Sequence, residues 1–198
     1  LFIMRLIHGM SFVVAIIAGG MLSACQQPRV GVLPDTRSGS AEHAAGLTLL
    51  RQVLDKNSQV DGILMIKSVD SDVEPLIKDI AHTCTMMRDK IDSWVSEDDQ
   101  LSLEANGLPL AEARARELRE DRMTWVLLGA SGPVFQMQLL LSQAQAMGYA
   151  SCLADAIAEK ESNPVRVRDL NAMGTKLKSL SERIDAFLTA QCSQSIST

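Results

Sequence analysis

The 198-residue chain carries 24 Asp and Glu against 19 Lys and Arg, a net charge of −5, and 46% of its residues are hydrophobic although only 4% are aromatic. The acidic balance leaves no basic stripe for nucleic acid or anionic lipid. A composition rich in Ala, Leu, Met, Gln and Ser with few aromatics favours helices packed on helices, so the expected fold class is all-α.

The first element is a targeting segment. Met4 and Arg5 open it with a short basic start, and residues 11–22 form an apolar run too short for a permanent membrane span. The run ends at Leu22-Ser23-Ala24-Cys25, which resembles the lipobox of bacterial lipoproteins. That resemblance implies cleavage after residue 24 and a lipid-modified, palmitate-bearing Cys25 as the first mature residue. Gln26 follows the cysteine where retention at the inner membrane calls for aspartate, so the resemblance also implies the periplasmic side of the outer membrane. Without residues 1–24, whose one charge is Arg5, the mature chain has 18 bases against 24 acids, a net charge of −6. Its contact with the membrane is then expected through the acyl chains alone.

Residues 25–44 mix Pro, Gly and Ser with charges and show no helical period, so they read as a lipidated flexible tether with a reach of about 25 Å. His43 belongs to this stretch and reads as solvated. A helical bundle is expected over 45–190. Its first helix, 45–69, is drawn from Leu47, Leu50, Leu54, Val60 and Leu64, with Asn57 and Asp61 as interruptions. The Val69-Asp70-Ser71-Asp72 turn offers an N-cap, and Val73, Ile77, Ile80, Cys84, Met87, Ile91 and Trp94 set one apolar face on a second helix over 72–96. Residues 110–128 carry alternating charges with i,i+4 pairs such as Glu112 and Arg116, and read as a solvated crossover.

Ser131-Gly132-Pro133 starts the longest predicted helix, to about residue 161, and no charged residue occurs from Met123 to Ala154. Its glutamines, serines and Gly148 argue for a helix within a bundle rather than a membrane span. One face brings together Gln138, Ser142, Gln145 and Tyr149, a pattern suited to a polar ligand or, more simply, to a bundle seam. Asn163-Pro164 restarts the chain into a last helix over 165–190, and residues 191–198 read as a disordered tail. Of the three cysteines beyond Cys25, Cys84 and Cys152 read as buried small hydrophobes, while Cys192 lies in the Ser-rich tail.

Two hairpins joined by a crossover make an antiparallel four-helix bundle. The segments Asn57-Ser58-Gln59-Val60-Asp61, Ile80-Ala81-His82-Thr83 and Gln143 to Tyr149 give this layout a resemblance to a family of small exported bacterial proteins of uncharacterised function with a ferritin-like fold. The di-iron chemistry of ferritin-like bundles needs inward glutamates and Glu-x-x-His pairs, and this chain has no Glu-x-x-His. No nucleophile elbow, phosphate loop or paired-carboxylate pattern is present, so the expected role is a non-enzymatic binding or envelope-associated module that needs no cofactor and whose protein partner is left open. The alternative is a reduced divalent-metal site. Asp61 and His82 fall at one height on neighbouring helices and Glu182 lies across the second turn, making these three the candidate ligands. The simpler reading is that Asp61 and His82 form a single inter-helix hydrogen bond or sit at the bundle edge, since His82 is off the main apolar stripe.

Overall fold

The computed structural model describes residues 36–103 and 108–196. Among them the secondary structure is entirely helical: α1 (Thr36–Asn57), a 3-10 segment (Val60–Met65), α2 (Val73–Glu97), α3 (Leu110–Gly129), α4 (Gly132–Ala158) and α5 (Pro164–Ile196). The targeting segment, Cys25 and tether residues 25–35 lie outside the described residues, as do residues 104–107 and 197–198.

Inter-helix pairs fix the directions. Arg51 bonds Asp92 and Arg88 bonds Asp55, so α1 and α2 run antiparallel. Ser151 donates to the Gly174 carbonyl and Ser181 to that of Ala144, which sets α4 against α5 in the same sense. Asp79 with Arg183 and Lys90 with Asp169 join α2 to α5, again antiparallel. Packing of α1 on α4 closes the ring, with Gly46 set against Ile157 so closely that an added Cβ would stand 3.0 Å from its Cγ1. It follows that α2 and α4 run in the same direction. The chain must therefore return the length of the bundle between them, and the 20 residues of α3, about 30 Å of helix, make that crossover.

The core is one continuous apolar cluster. Leu50 and Leu54 of α1, Ile77, Ile80 and Ile91 of α2, Phe135, Leu139 and Met147 of α4, and Leu170, Leu177 and Ile184 of α5 are all fully buried. The stripes predicted from spacing on α2 and α5 are the faces that enter it. The α4–α5 pair approaches closely because Ala144, Gly148 and Ser151 meet Gly174 and Ser181, where small side chains let one backbone bond the other. At the α3–α4 corner Gly132 takes φ +54°, a conformation that favours glycine, and Pro133 follows in the first turn of α4. No described helix is long and apolar enough to cross a membrane, α4 included.

Four sequence expectations need correction. The tether does not extend to residue 44, because α1 starts at Thr36. Contacts at His43 and Gly46, made with residues more than 100 positions away, order a stretch whose local propensity is poor. The first helix stops at Asn57 rather than 69. There the Asn57 side chain donates to the Val53 carbonyl and Ser58 Oγ to that of Asp55, competing with the helix backbone, and a 3-10 segment follows. The last helix continues to Ile196, since residues 191–196 contain neither Pro nor Gly, and the supposed tail is helical that far. Finally, Asp72 makes no side-chain cap on α2. The Asp70 carbonyl instead accepts from Val73 and Glu74, while the Asp70 side chain and backbone N–H clasp the amide of buried Gln136 at 2.7 Å each.

Candidate functional site

The residues nominated as metal ligands do not converge. Asp61 lies exposed on the 3-10 segment, His82 is exposed on α2 between buried Ala81 and Thr83, and Glu182 is exposed on α5, 4.0 Å from Lys178. Among the described residues no group of three or more His, Cys, Asp or Glu is placed to hold a metal ion. His82 and Glu182 each stand two positions after a fully buried core residue, Ile80 and Leu180. A residue two positions on faces the far side of an α-helix, so equal height did not bring the side chains together.

The polar face of α4 lies beneath α3. Arg116 of α3 donates to the Tyr149 hydroxyl at 3.3 Å and holds its guanidinium 5.7 Å from the Tyr149 ring centre, while pairing with Glu112 at 2.8 Å as the spacing predicted. Ser142 turns back to the Leu139 carbonyl of its own helix, and Gln145 is exposed. Gln138 and Gln143 each hold a buried side-chain oxygen without a hydrogen-bond partner, with Gln143 buried in the core-facing side of α4. The stripe therefore meets the crossover helix in a seam at Tyr149, while Gln145 faces solvent and Ser142 its own backbone, so the four side chains do not converge on one ligand.

Sequence reasoning missed the most perturbed acid of this seam. Glu120, read as part of a solvated charge run, is buried with its carboxylate 2.7 Å from Lys56 Nζ of α1. Burial pushes its pKa up to about 7, with Asp121 and Glu117 adding to the rise, although the hydrogen bond and charge of Lys56 pull the other way. The signal was present in the spacing: Glu120, Thr124 and Leu127 form the buried stripe of α3. At the same end of the bundle Lys67 donates to the carbonyls of Leu128 and Ala130, both at 2.8 Å, satisfying the last turn of α3 and the corner behind it.

A second buried acid sits at the opposite end. Glu161, 1% exposed, takes a two-pronged bond from Arg166 at 2.8 and 3.1 Å and accepts the Asn163 N–H at 2.8 Å. Arg166 reaches on to Asp98 at the end of α2, and His43 Nε2 of α1 lies 3.2 Å from Glu161 without hydrogen-bond alignment. His43 is therefore part of the bundle and not solvated. Burial raises the Glu161 pKa, but the Arg166 fork, the Asn163 N–H and the nearby charges outweigh it, leaving the carboxyl below its usual range.

The cysteines separate by exposure. Cys84 is buried 4.0 Å from Met147 Sδ, and desolvation pushes its thiol up to about 12, far from reactive. Cys152, expected in the core, is exposed instead. It closes a stripe on the outer face of α4 that includes Val134, Met137 and Leu141, which are 52%, 43% and 43% exposed. Compared with known proteins, the chain matches no family model, no curated protein and no solved structure.

Proposed function

We propose that the chain is a lipid-anchored protein on the periplasmic side of the outer membrane, carrying a ferritin-like antiparallel four-helix bundle that acts as a non-enzymatic binding module of the envelope. The anchor rests on the lipobox ending at Cys25. The ferritin-like reading is supported by two antiparallel pairs joined through a crossover that leaves α2 and α4 parallel. The observation that carries the binding role is the outer face of α4, where apolar side chains of an otherwise acidic chain stand in solvent. A structural use of the buried charges supports the non-catalytic part: Glu161, Arg166 and Asp98 tie three helix ends together, and Glu120 ties α3 to α1.

On this reading the tether emerges at the end of the bundle where His43, Asp98 and Glu161 meet, so that end faces the lipid. Metabolic labelling with palmitate tests the anchor. The full chain should take up label and sediment with outer membranes, and Cys25→Ser should do neither. Undiminished labelling of Cys25→Ser would refute the assignment.

A further inference from the structure

We infer that α3 is a strap fastened by a proton. With the Glu120 carboxyl neutral it lies docked across α1 and α4, and with the carboxylate ionised it swings out from its C-terminal corner while the bundle beneath stays folded.

The attachment of α3 suits it to this. Its inward stripe is Ala113, Arg116, Glu120, Met123 and Leu127, at steps of three and four residues, with Thr124 beside it. Leu127 is its one fully buried member of the apolar core, while Leu110, Leu118, Trp125 and Val126 stand in solvent. Along the strip before Leu127 the docking contacts are polar, Arg116 to Tyr149 of α4 and Glu120 to Lys56 of α1. Lifting α3 therefore takes one buried apolar side chain from a core that α1, α2, α4 and α5 otherwise supply with the 3-10 segment.

The two ends of α3 are held unequally. At its start Pro109 provides no side-chain cap and Leu110 is exposed. At its finish Lys67 donates to the carbonyls of Leu128 and Ala130, close to Gly132 with its φ of +54°. The corner over 128–132 is thus the pivot, and residues 113–127 are the part that moves. Their release frees Tyr149 from Arg116 and opens the Lys56 side of α1 to water.

Glu120 occupies the middle of the strip. Lys56 of α1 lies 2.7 Å from its carboxylate, and Glu117 and Asp121 of α3 add like charge. From α4 no charged residue faces it, since none occurs between Gly132 and Ala154. Arg116, one turn back, is bonded to Glu112 and Tyr149, and Lys67 to the carbonyls of the corner. An ionised Glu120 is therefore buried against one ammonium and two repelling carboxylates, whereas the neutral acid still accepts a hydrogen bond from Lys56 and has no charge to desolvate. Burial accordingly pushes its pKa up to about 7. The docked strap binds more protons than the detached one, so its hold is complete below the ordinary carboxyl pKa near 4.5 and declines as pH rises through about 7.

This device goes beyond the proposed binding role and depends on neither the lipid anchor nor the outer face of α4. It is tested by alkylating the full chain with iodoacetamide after Thr124→Cys, which places a thiol beneath docked α3 where Thr124 is 5% exposed. Peptide mapping reads that thiol beside two native ones, exposed Cys152 as a reference for the reagent and buried Cys84 as a reference for unfolding of the bundle. Corrected for the pH dependence of a free thiol, labelling at position 124 should rise about tenfold relative to Cys152 between pH 5.5 and pH 8, with Cys84 unlabelled. Adding Glu120→Gln should abolish the rise. Replacing the two exposed acids together, Glu117→Gln with Asp121→Asn, should diminish it, because an ionised Glu120 then meets less repulsion. The strap is overturned by the absence of a rise, by a rise that persists with Glu120→Gln or is undiminished by the exposed pair, or by Cys84 labelling in step with position 124.

Discussion

Glu161 and Glu120 are both buried carboxylates bonded to a cation on another segment, yet one is held below its usual pKa and the other pushed up to about 7. Glu161 receives a planar two-pronged bond from Arg166 together with a backbone N–H. Glu120 has one bond from the point charge of Lys56 and two acidic neighbours, Asp121 and Glu117. Burial is thus tolerated by a carboxylate when several aligned donors replace its water, and poorly when a single ammonium does. The consequence is mechanical. The end where α1, α2, α4 and α5 meet is tied by a fixed ionic knot, whereas α3 lies outside the four packed helices on a contact that changes strength with pH.

Removing the fork should have the largest effect. Arg166→Met leaves Glu161 buried without its main partner and releases Asp98, and a loss of about 3–5 kcal/mol is expected, read from urea unfolding. A change below 1 kcal/mol would show that the two ends are not held differently. Lys67→Met removes two bonds to carbonyls at the end of α3 and should cost about 1–2 kcal/mol. Its sharper signature is faster amide exchange confined to the end of α3 and the α3–α4 corner, so a change spread evenly over α5 would contradict the local role.

Glu120→Gln should change stability at pH 7 by less than about 1 kcal/mol, because the lost ion pair and the removed burial of charge offset each other. What it should alter is pH dependence. A carboxyl raised when folded binds more protons in the docked state than in the detached one, so its contribution is complete below its ordinary pKa near 4.5 and lost as pH rises through about 7. Wild-type α3 should therefore loosen across that window, and the Gln variant should not. Smallest of all, His82→Ala should shift stability by no more than about 0.5 kcal/mol and leave both ends unchanged, since the side chain is exposed.

How much of this was legible in the sequence follows the range of the interactions involved. Local periodicity placed helices at 72–96, 110–128, 132–161 and 165–190, within three residues of the observed ends except that the last helix was ended six residues short, because an apolar stripe is a property of neighbours in sequence. The start of α1 was not legible, since Thr36 to Ala44 is ordered by α4 and the turn after it through His43, Gly46, Ile157 and Glu161. The metal trio failed for an orientational reason: height along a helix is set by residue count, but side-chain direction by the 100° step, and that step turns His82 and Glu182 outward. Cys152 was misread for the same reason, sitting in an apolar segment but on its outer face. Glu120 could have been found by asking which face of α3 continues inward from Leu127, a question the alternating charges concealed.

Hydrogen exchange on the intact chain at pH 5.5 and pH 8, corrected for intrinsic rates, tests most directly the claim that α3 is the proton-responsive part of an otherwise fixed bundle. Protection of residues 113–127 should fall about tenfold relative to α5 as pH rises, and Glu120→Gln should abolish that fall. Equal protection of α3 and α5 at both pH values, or a pH response that persists in the Gln variant, would contradict it.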